Sequence, residues 1–164
     1  MTRRRRQQPG DRSRGRVAIA AAVTVALLAA GCGSELSKSE YEQKLQAVYE
    51  DVREAFRRTA GTGSRDDLAE AVEHAQDELR SAADELDDVD APKAVEEPND
   101  ELVQALRGYA DDLDPVIAAA KEGDTRRVRA FNQNVRDNRW VVQMQEVFEQ
   151  MTAKGFDLGE IPRD

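Results

Sequence analysis

The sequence predicts an all-α protein, an antiparallel up-down four-helix bundle that follows a cleaved leader. Four segments space their apolar residues three and four positions apart, as one buried face of an α-helix requires. No segment alternates apolar and polar residues with the period of two that a half-buried strand shows. The connections between the four segments are short, which favours antiparallel neighbours.

The first 31 residues differ in composition from the rest of the chain. Met1–Arg16 contains seven arginines and one acid, and Val17–Ala30 contains no charged residue. The uncharged run of 14 residues is shorter than the ~20 residues that a membrane-spanning helix needs. It fits the ~7–15 apolar residues of a secretory signal peptide. A buried core helix is the alternative, but four consecutive arginines precede the run and it has no polar face.

Cys32 is the only cysteine and directly follows the small residues Ala30 and Gly31. The stretch Leu28-Ala29-Ala30-Gly31-Cys32 resembles a bacterial lipobox, although Ala29 stands where leucine is usual. The resemblance implies that a diacylglycerol is attached to the thiol and that the chain is cut before Cys32. Only a thiolate is nucleophilic enough to take the lipid. Two acyl chains anchor a protein stably, which one chain does not.

Three alternatives to lipid attachment exist for Cys32. A standard signal peptidase can leave an unmodified N-terminal cysteine. Metal binding lacks partner ligands, because the chain has one histidine and no second cysteine. Uncleaved anchoring is opposed by the short apolar run. The export route stays open, because Arg3–Arg6 contains a twin arginine but the polar Gln7-Gln8-Pro9 follows it.

These observations divide the chain into three parts. Residues 1–31 are the predicted lipoprotein signal peptide, residues 32–38 the lipidated cysteine and a short tether, and residues 39–164 the bundle with a C-terminal tail. The predicted location is the extracytoplasmic face of the cell membrane. The full chain has a net charge of −9, and removing seven basic residues and one acid with the leader leaves −15. This strongly negative charge of the remaining chain argues against nucleic-acid binding.

The four predicted helices run from about Ser39 to Thr59, from Arg65 to Val89, from just after Asn99, and from Asp124 to Lys154. Ser37 with Glu40, or Ser39 with Glu42, forms a capping box for the first, and Asn99 is the expected N-cap of the third. Pro115 either kinks the third helix or starts a new helix that Asp114 caps.

The fourth predicted helix changes its apolar face across Arg136–Arg139, so it is either broken there or buried on two sides. Gly155 is the expected stop. Phe156, Leu158 and Ile161 are expected to fold back over one end of the bundle.

The body offers no recognisable catalytic or metal-binding motif. His74, the only histidine, falls on the charged side of the second helix and is expected to be a surface residue, not a haem ligand. A di-metal carboxylate bundle needs Glu-x-x-His motifs, and position 71 is alanine. The acid pairs lack the spacing of a calcium loop. We therefore expect no cofactor, no metal and no enzymatic activity.

The fourth helix is locally basic. Its arginines either pair with acidic neighbouring helices or form a docking patch for an acidic partner or a lipid headgroup. The residues of this candidate patch are Arg126, Arg127, Arg129, Arg136 and Arg139.

The whole pattern resembles the small, alanine-rich helical lipoproteins of high-GC Gram-positive bacteria. The specific part of the resemblance covers residues 1–33. The expected function is that of a lipid-anchored, non-enzymatic binding or accessory module with an envelope protein as partner. The alternative is a carrier of a small molecule or lipid, with a pocket between the helices. Its expected lining is Tyr41, Tyr49, Tyr109, Phe131 and Trp140.

Overall fold

The computed structural model describes residues 35–159, and it confirms the all-α, four-helix-bundle prediction. The bundle has four long segments, two of which are divided. Its α-helices are α1 (Lys38–Thr59), α2 (Arg65–Asp87), α3 (Glu96–Asp112), α4 (Asp114–Glu122), α5 (Thr125–Asn134) and α6 (Arg139–Ala153), and a 3₁₀ turn (Val135–Asp137) joins the last two. No β-strand occurs between residues 35 and 159.

Side-chain contacts between α2 and the third segment follow an antiparallel register. Arg107 pairs with Asp84, and Arg80 pairs with Asp111 about one turn further along. At the far end, Lys121 of α4 reaches Glu73. Thus α4 continues the direction of α3 along α2. The fourth segment, α5 to α6, then returns beside α4 and α3.

The capping box of α1 is formed by the first of the two predicted pairs. The Glu40 amide donates to Ser37 Oγ (3.3 Å), and the Ser37 amide donates to Glu40 Oε2 (2.9 Å). Hydrogen bonds from the side chain and the backbone of Ser37 hold the pKa of Glu40 below its ordinary value. These bonds satisfy two of the otherwise unpaired donors at the start of the helix.

The third segment is broken at Pro115. A new helix begins at Asp114, but its N-cap is Leu113, so the expected capping by Asp114 is wrong. The Asp114 carboxylate instead accepts a hydrogen bond from the buried Gln76 of α2. Gln76 Nε2 donates both to Asp114 Oδ1 (2.6 Å) and to the Ala110 carbonyl (2.8 Å).

The expected N-cap of the third helix is also wrong. The helix α3 begins at Glu96, and Asn99 lies inside it. Pro98 is tolerated there because a proline in the first turn removes a donor that has no intrahelical partner. The buried Asn99 side chain instead accepts from the Tyr41 hydroxyl (2.8 Å) and donates to the Leu86 carbonyl (3.0 Å).

The fourth segment is broken where its apolar face changes. Asn138 ends the 3₁₀ turn and caps α6, because its Oδ1 accepts from the Trp140 amide (2.8 Å). Its Nδ2 donates to Asp112 Oδ2 (2.8 Å) at the end of α3. The breaks in the third and fourth segments therefore lie side by side.

The tail folds back as expected. Gly155 adopts a left-handed conformation (φ 87°) just after α6, which favours a residue without Cβ. Phe156 and Leu158 are buried, and the Phe156 and Tyr41 rings form a T-shaped pair with centroids 5.9 Å apart. Ile161 lies outside the described residues.

One continuous apolar core joins the helices, and the described residues belong to a single compact unit, residues 32–164. Because this unit has its own core, we expect it to fold on its own in solution experiments. Of the helices between residues 35 and 159, none combines the length and the apolar character needed to cross a membrane.

Candidate functional site

A cleft of about 260 Å³ lies between α1 and α6. No Cα atom of α1 lies within 8 Å of a Cα atom of α6, whereas α1 packs on α2, α2 on α3, and α3 on α6. The walls are formed by α1 residues that include Tyr49, Val52 and Phe56, and by the α6 residues Val141, Met144 and Phe148. We refer to this space as the α1–α6 cleft.

The floor of the α1–α6 cleft belongs to the core of the bundle. It consists of leucines from α2 and α3, namely Leu79, Leu86, Leu102 and Leu106. All four are buried. Because α2 and α3 are held together by core packing and by the Asn99 and Gln76 bridges, the floor is a fixed surface.

Aromatic rings close one end of the cleft. Tyr109 of α3 stacks on Phe56 of α1 with ring centroids 5.9 Å apart, and on Phe131 of α5 at 6.3 Å. Burial, and secondarily the charge of Asp112, raise the pKa of Tyr109 to about 12. Its hydroxyl is therefore neutral at physiological pH, and the apolar character of this end is preserved.

The opposite end of the bundle is covered by the tail. Besides the Phe156–Tyr41 contact, the Asp157 amide donates to Glu42 Oε1 (2.7 Å) and Lys38 Nζ donates to the Gly155 carbonyl (2.5 Å). Burial, with a smaller contribution from the charge of Asp100, raises the pKa of Tyr41.

The chemistry of the α1–α6 cleft is that of an apolar binding site. Among the described residues that line it, the polar groups are the hydroxyls of Tyr49 and Tyr109 and the amide of Gln145. No carboxylate, imidazole or thiol belongs to that described lining. The cleft can therefore bind a ligand by burying its apolar surface, which stabilises a complex by about 25 cal/mol per Å².

Two of the five aromatic residues expected to line a pocket between the helices line the α1–α6 cleft. Tyr49 and Tyr109 face the cleft. Phe131 covers the far side of Tyr109, Tyr41 is buried beside Asn99, and Trp140 packs against Gly108, where a Cβ would overlap the indole ring.

The main lining residues that sequence reasoning missed are Phe56, Met144 and Phe148. For Met144 and Phe148, the signal was the width of the apolar arc of the last helix. Val147 and Met151 of α6 are fully buried, whereas Met144 and Phe148 are half-buried and turned toward the cleft. A helix that both packs against a neighbour and lines a cleft has a wider apolar arc than a helix that only packs.

The five arginines of the candidate patch are distributed over three consecutive elements. Arg126, Arg127 and Arg129 lie on α5, whereas Arg136 lies in the 3₁₀ turn and Arg139 begins α6. Arg127 pairs with Glu122 (3.6 Å), and the Arg139 guanidinium lies 4.2 Å from the centroid of the Trp140 ring. All five are exposed. Docking of a partner here stays a prediction.

His74 lies at the surface of α2, with Nε2 2.6 Å from Arg58 Nη1 and Nδ1 3.7 Å from Glu78 Oε1. In the described part of the chain, no three His, Cys, Asp or Glu residues are grouped closely enough to hold a metal ion. Cys32, the candidate lipid site, lies outside the described residues, as does the whole predicted signal peptide.

Comparison of the chain with protein-family models, with curated proteins and with solved structures found no match.

Proposed function

We propose that this protein is a lipid-anchored, extracytoplasmic, non-enzymatic binding protein that holds a single apolar chain or ring in the α1–α6 cleft. The observation that carries the proposal is a cleft of about 260 Å³ with an almost wholly apolar lining. Anchoring through Cys32 at the outer face of the cell membrane is supported by the lipobox-like stretch and the signal-like leader. An envelope protein as partner stays a prediction.

The volume limits the size of the ligand. An apolar cavity of about 150 Å³ accommodates a benzene ring, and pockets for drug-sized ligands begin at roughly 300 Å³. The α1–α6 cleft lies between these two sizes. It therefore suits one acyl chain or one ring system, and it is too small for both chains of a membrane lipid.

A series of neutral primary alcohols from hexanol to decanol tests the cleft on residues 32–164 carrying Cys32→Ala. Each methylene buried is worth ~0.8 kcal/mol, so we expect the affinity measured by calorimetry to rise about fourfold per methylene until the cleft is full. Neutral alcohols avoid any contribution from surface charge.

Two matched variants locate the binding. Met144→Trp places a larger ring inside the cleft and is expected to weaken decanol binding at least about tenfold, because the apolar space is filled. Val142→Trp adds the same ring on α6 at a residue that does not line the cleft and is 38% exposed. This variant is expected to leave decanol binding unchanged. The proposal would be contradicted if the affinity did not depend on the chain length of the alcohol, or if the two variants weakened decanol binding equally.

The anchor is tested in cells. Wild-type protein is expected to incorporate labelled fatty acid and to sediment with membranes, whereas Cys32→Ala is expected to do neither. A Cys32→Ala protein that is processed normally and stays bound to membranes would show that the lipid assignment is wrong.

A further inference from the structure

A second pocket lies where the start of α2 meets the turn between α4 and α5. Its volume is about 280 Å³. Two arginines line it, Arg65 from the first turn of α2 and Arg129 from α5. We call it the hairpin pocket, and it is separate from the α1–α6 cleft because the two share no lining residue.

Neither arginine side chain of the hairpin pocket forms an ion pair or a hydrogen bond within residues 35–159. They share this with other exposed arginines of the fourth segment, such as Arg136, but of the described basic residues only these two line the pocket. Two acids of the turn between α4 and α5 are already engaged. Glu122 pairs with Arg127 (3.6 Å), and Asp124 Oδ1 accepts from the backbone amides of Arg126 (3.2 Å) and Arg127 (3.1 Å).

The backbone makes room for the Arg65 side chain. Gly123 ends α4 in a left-handed conformation (φ 75°), and a Cβ at this position would lie 2.8 Å from Arg65 Cδ and 2.9 Å from Nη1. The positive φ favours glycine here, and the missing Cβ lets the Arg65 side chain pass close to the turn. The Arg65 side chain therefore lies against this turn, without an acidic partner within residues 35–159.

The remaining lining supplies both polar and apolar contacts. Thr125 and Asn132 contribute a hydroxyl and an amide, and Leu68 and Val128 contribute apolar surface. A guanidinium binds a carboxylate or phosphate through two parallel hydrogen bonds. Arg65 and Thr125 also belong to the first turns of α2 and α5, where the helix dipoles favour negative charge.

We propose that the hairpin pocket binds a small organic anion, in which one phosphate or carboxylate group is joined to an apolar body. The anionic group pairs with Arg65 and Arg129, and the apolar body covers Leu68 and Val128. This binding is independent of the ligand proposed for the α1–α6 cleft.

Phenyl phosphate is the probe, titrated into ¹⁵N-labelled residues 32–164 carrying Cys32→Ala at low salt. We expect the largest amide shift changes at Arg65, Thr125 and Val128. The variants Arg65→Gln and Arg129→Gln are each expected to weaken binding about tenfold or more, since a hydrogen bond to a charged group is lost. Arg127→Gln, on the same helix but paired with Glu122, is the matched control and is expected to bind as wild type.

Two further probes separate the components of the site. Inorganic phosphate lacks the apolar body and benzyl alcohol lacks the charge, so both are expected to bind more weakly than phenyl phosphate. Equal binding of inorganic and phenyl phosphate would overturn the apolar component. Unchanged affinity in the Arg65→Gln/Arg129→Gln double variant, or shifts confined to other surfaces, would overturn the proposal altogether. Loss of decanol binding in Met144→Trp leaves each of these outcomes unaffected.

Discussion

Tyr109 connects three helices through one aromatic ring. It stands between Phe56 and Phe131 and forms one end of the α1–α6 cleft. Stacked rings of this kind contribute ~0.5–1.5 kcal/mol each beyond the area they bury. The neutral hydroxyl is part of this arrangement, because an ionised tyrosine at this buried position would lose its hydration next to Asp112.

Stability is expected to fall at high pH because of Tyr109. Its folded-state pKa of about 12 exceeds the ordinary value of 10.0. Between these pH values the unfolded chain has lost the proton and the folded chain has kept it, so the free energy of unfolding decreases as pH rises. The loss attributable to Tyr109 is at most roughly 2–3 kcal/mol.

Urea unfolding of wild type and Tyr109→Phe between pH 9 and 12 measures this loss. The variant is expected to lose less stability across the range. Tyr41, whose pKa burial also raises, is present in both proteins, so the difference between the two profiles belongs to Tyr109. Parallel profiles would contradict the assignment.

At the scale of elements, Asn138 holds the two halves of the fourth segment in place. It caps α6 with its oxygen and reaches Asp112 of α3 with its nitrogen. Asn138→Ala is expected to lower the free energy of unfolding by about 1–2 kcal/mol, because a cap and a cross-helix hydrogen bond are lost together.

The matched control is Asn134→Ala in the same segment. Asn134 is exposed, and its Nδ2 donates to the Ala130 carbonyl of its own helix (2.8 Å). Its replacement is expected to change stability by no more than about 0.5 kcal/mol, as for most exposed positions. Chemical unfolding measures the stability of both variants. Equal losses would show that the cap and the cross-helix hydrogen bond of Asn138 do not stabilise the bundle.

The helices and their caps show which features of the fold the sequence predicts and which it does not. Apolar spacing predicted four helical segments because each helix buries one face, which is a local property of the chain. The start of α3 was missed because Asn99 is placed by Tyr41 and Leu86, residues distant in sequence. The α1–α6 cleft was anticipated only as a pocket of uncertain lining, because periodicity identifies an apolar face without indicating whether another helix covers it.

At the scale of the whole molecule, negative charge is concentrated around the end of α2 and the start of α3. Residues 84–101 contain nine acids and one lysine. No basic residue lies in the last turn of α2, where the carbonyl ends of the helix favour positive charge. Arg107 relieves part of this repulsion by pairing with Asp84 (2.8 Å) and Asp87 (3.0 Å).

Asp88→Lys and Asp66→Lys change the net charge equally at opposite ends of α2. Both residues are exposed, and Asp88 is the C-cap whereas Asp66 lies in the first turn. Asp88→Lys is expected to raise the free energy of unfolding by about 0.3–1 kcal/mol at low salt, and Asp66→Lys to give a smaller gain or a loss. Both effects are expected to shrink in 1 M salt, where the Debye length is ~3 Å. Urea unfolding at two salt concentrations measures them. Equal gains from the two variants would mean that total charge, and not its distribution along the bundle, limits the stability of this acidic protein.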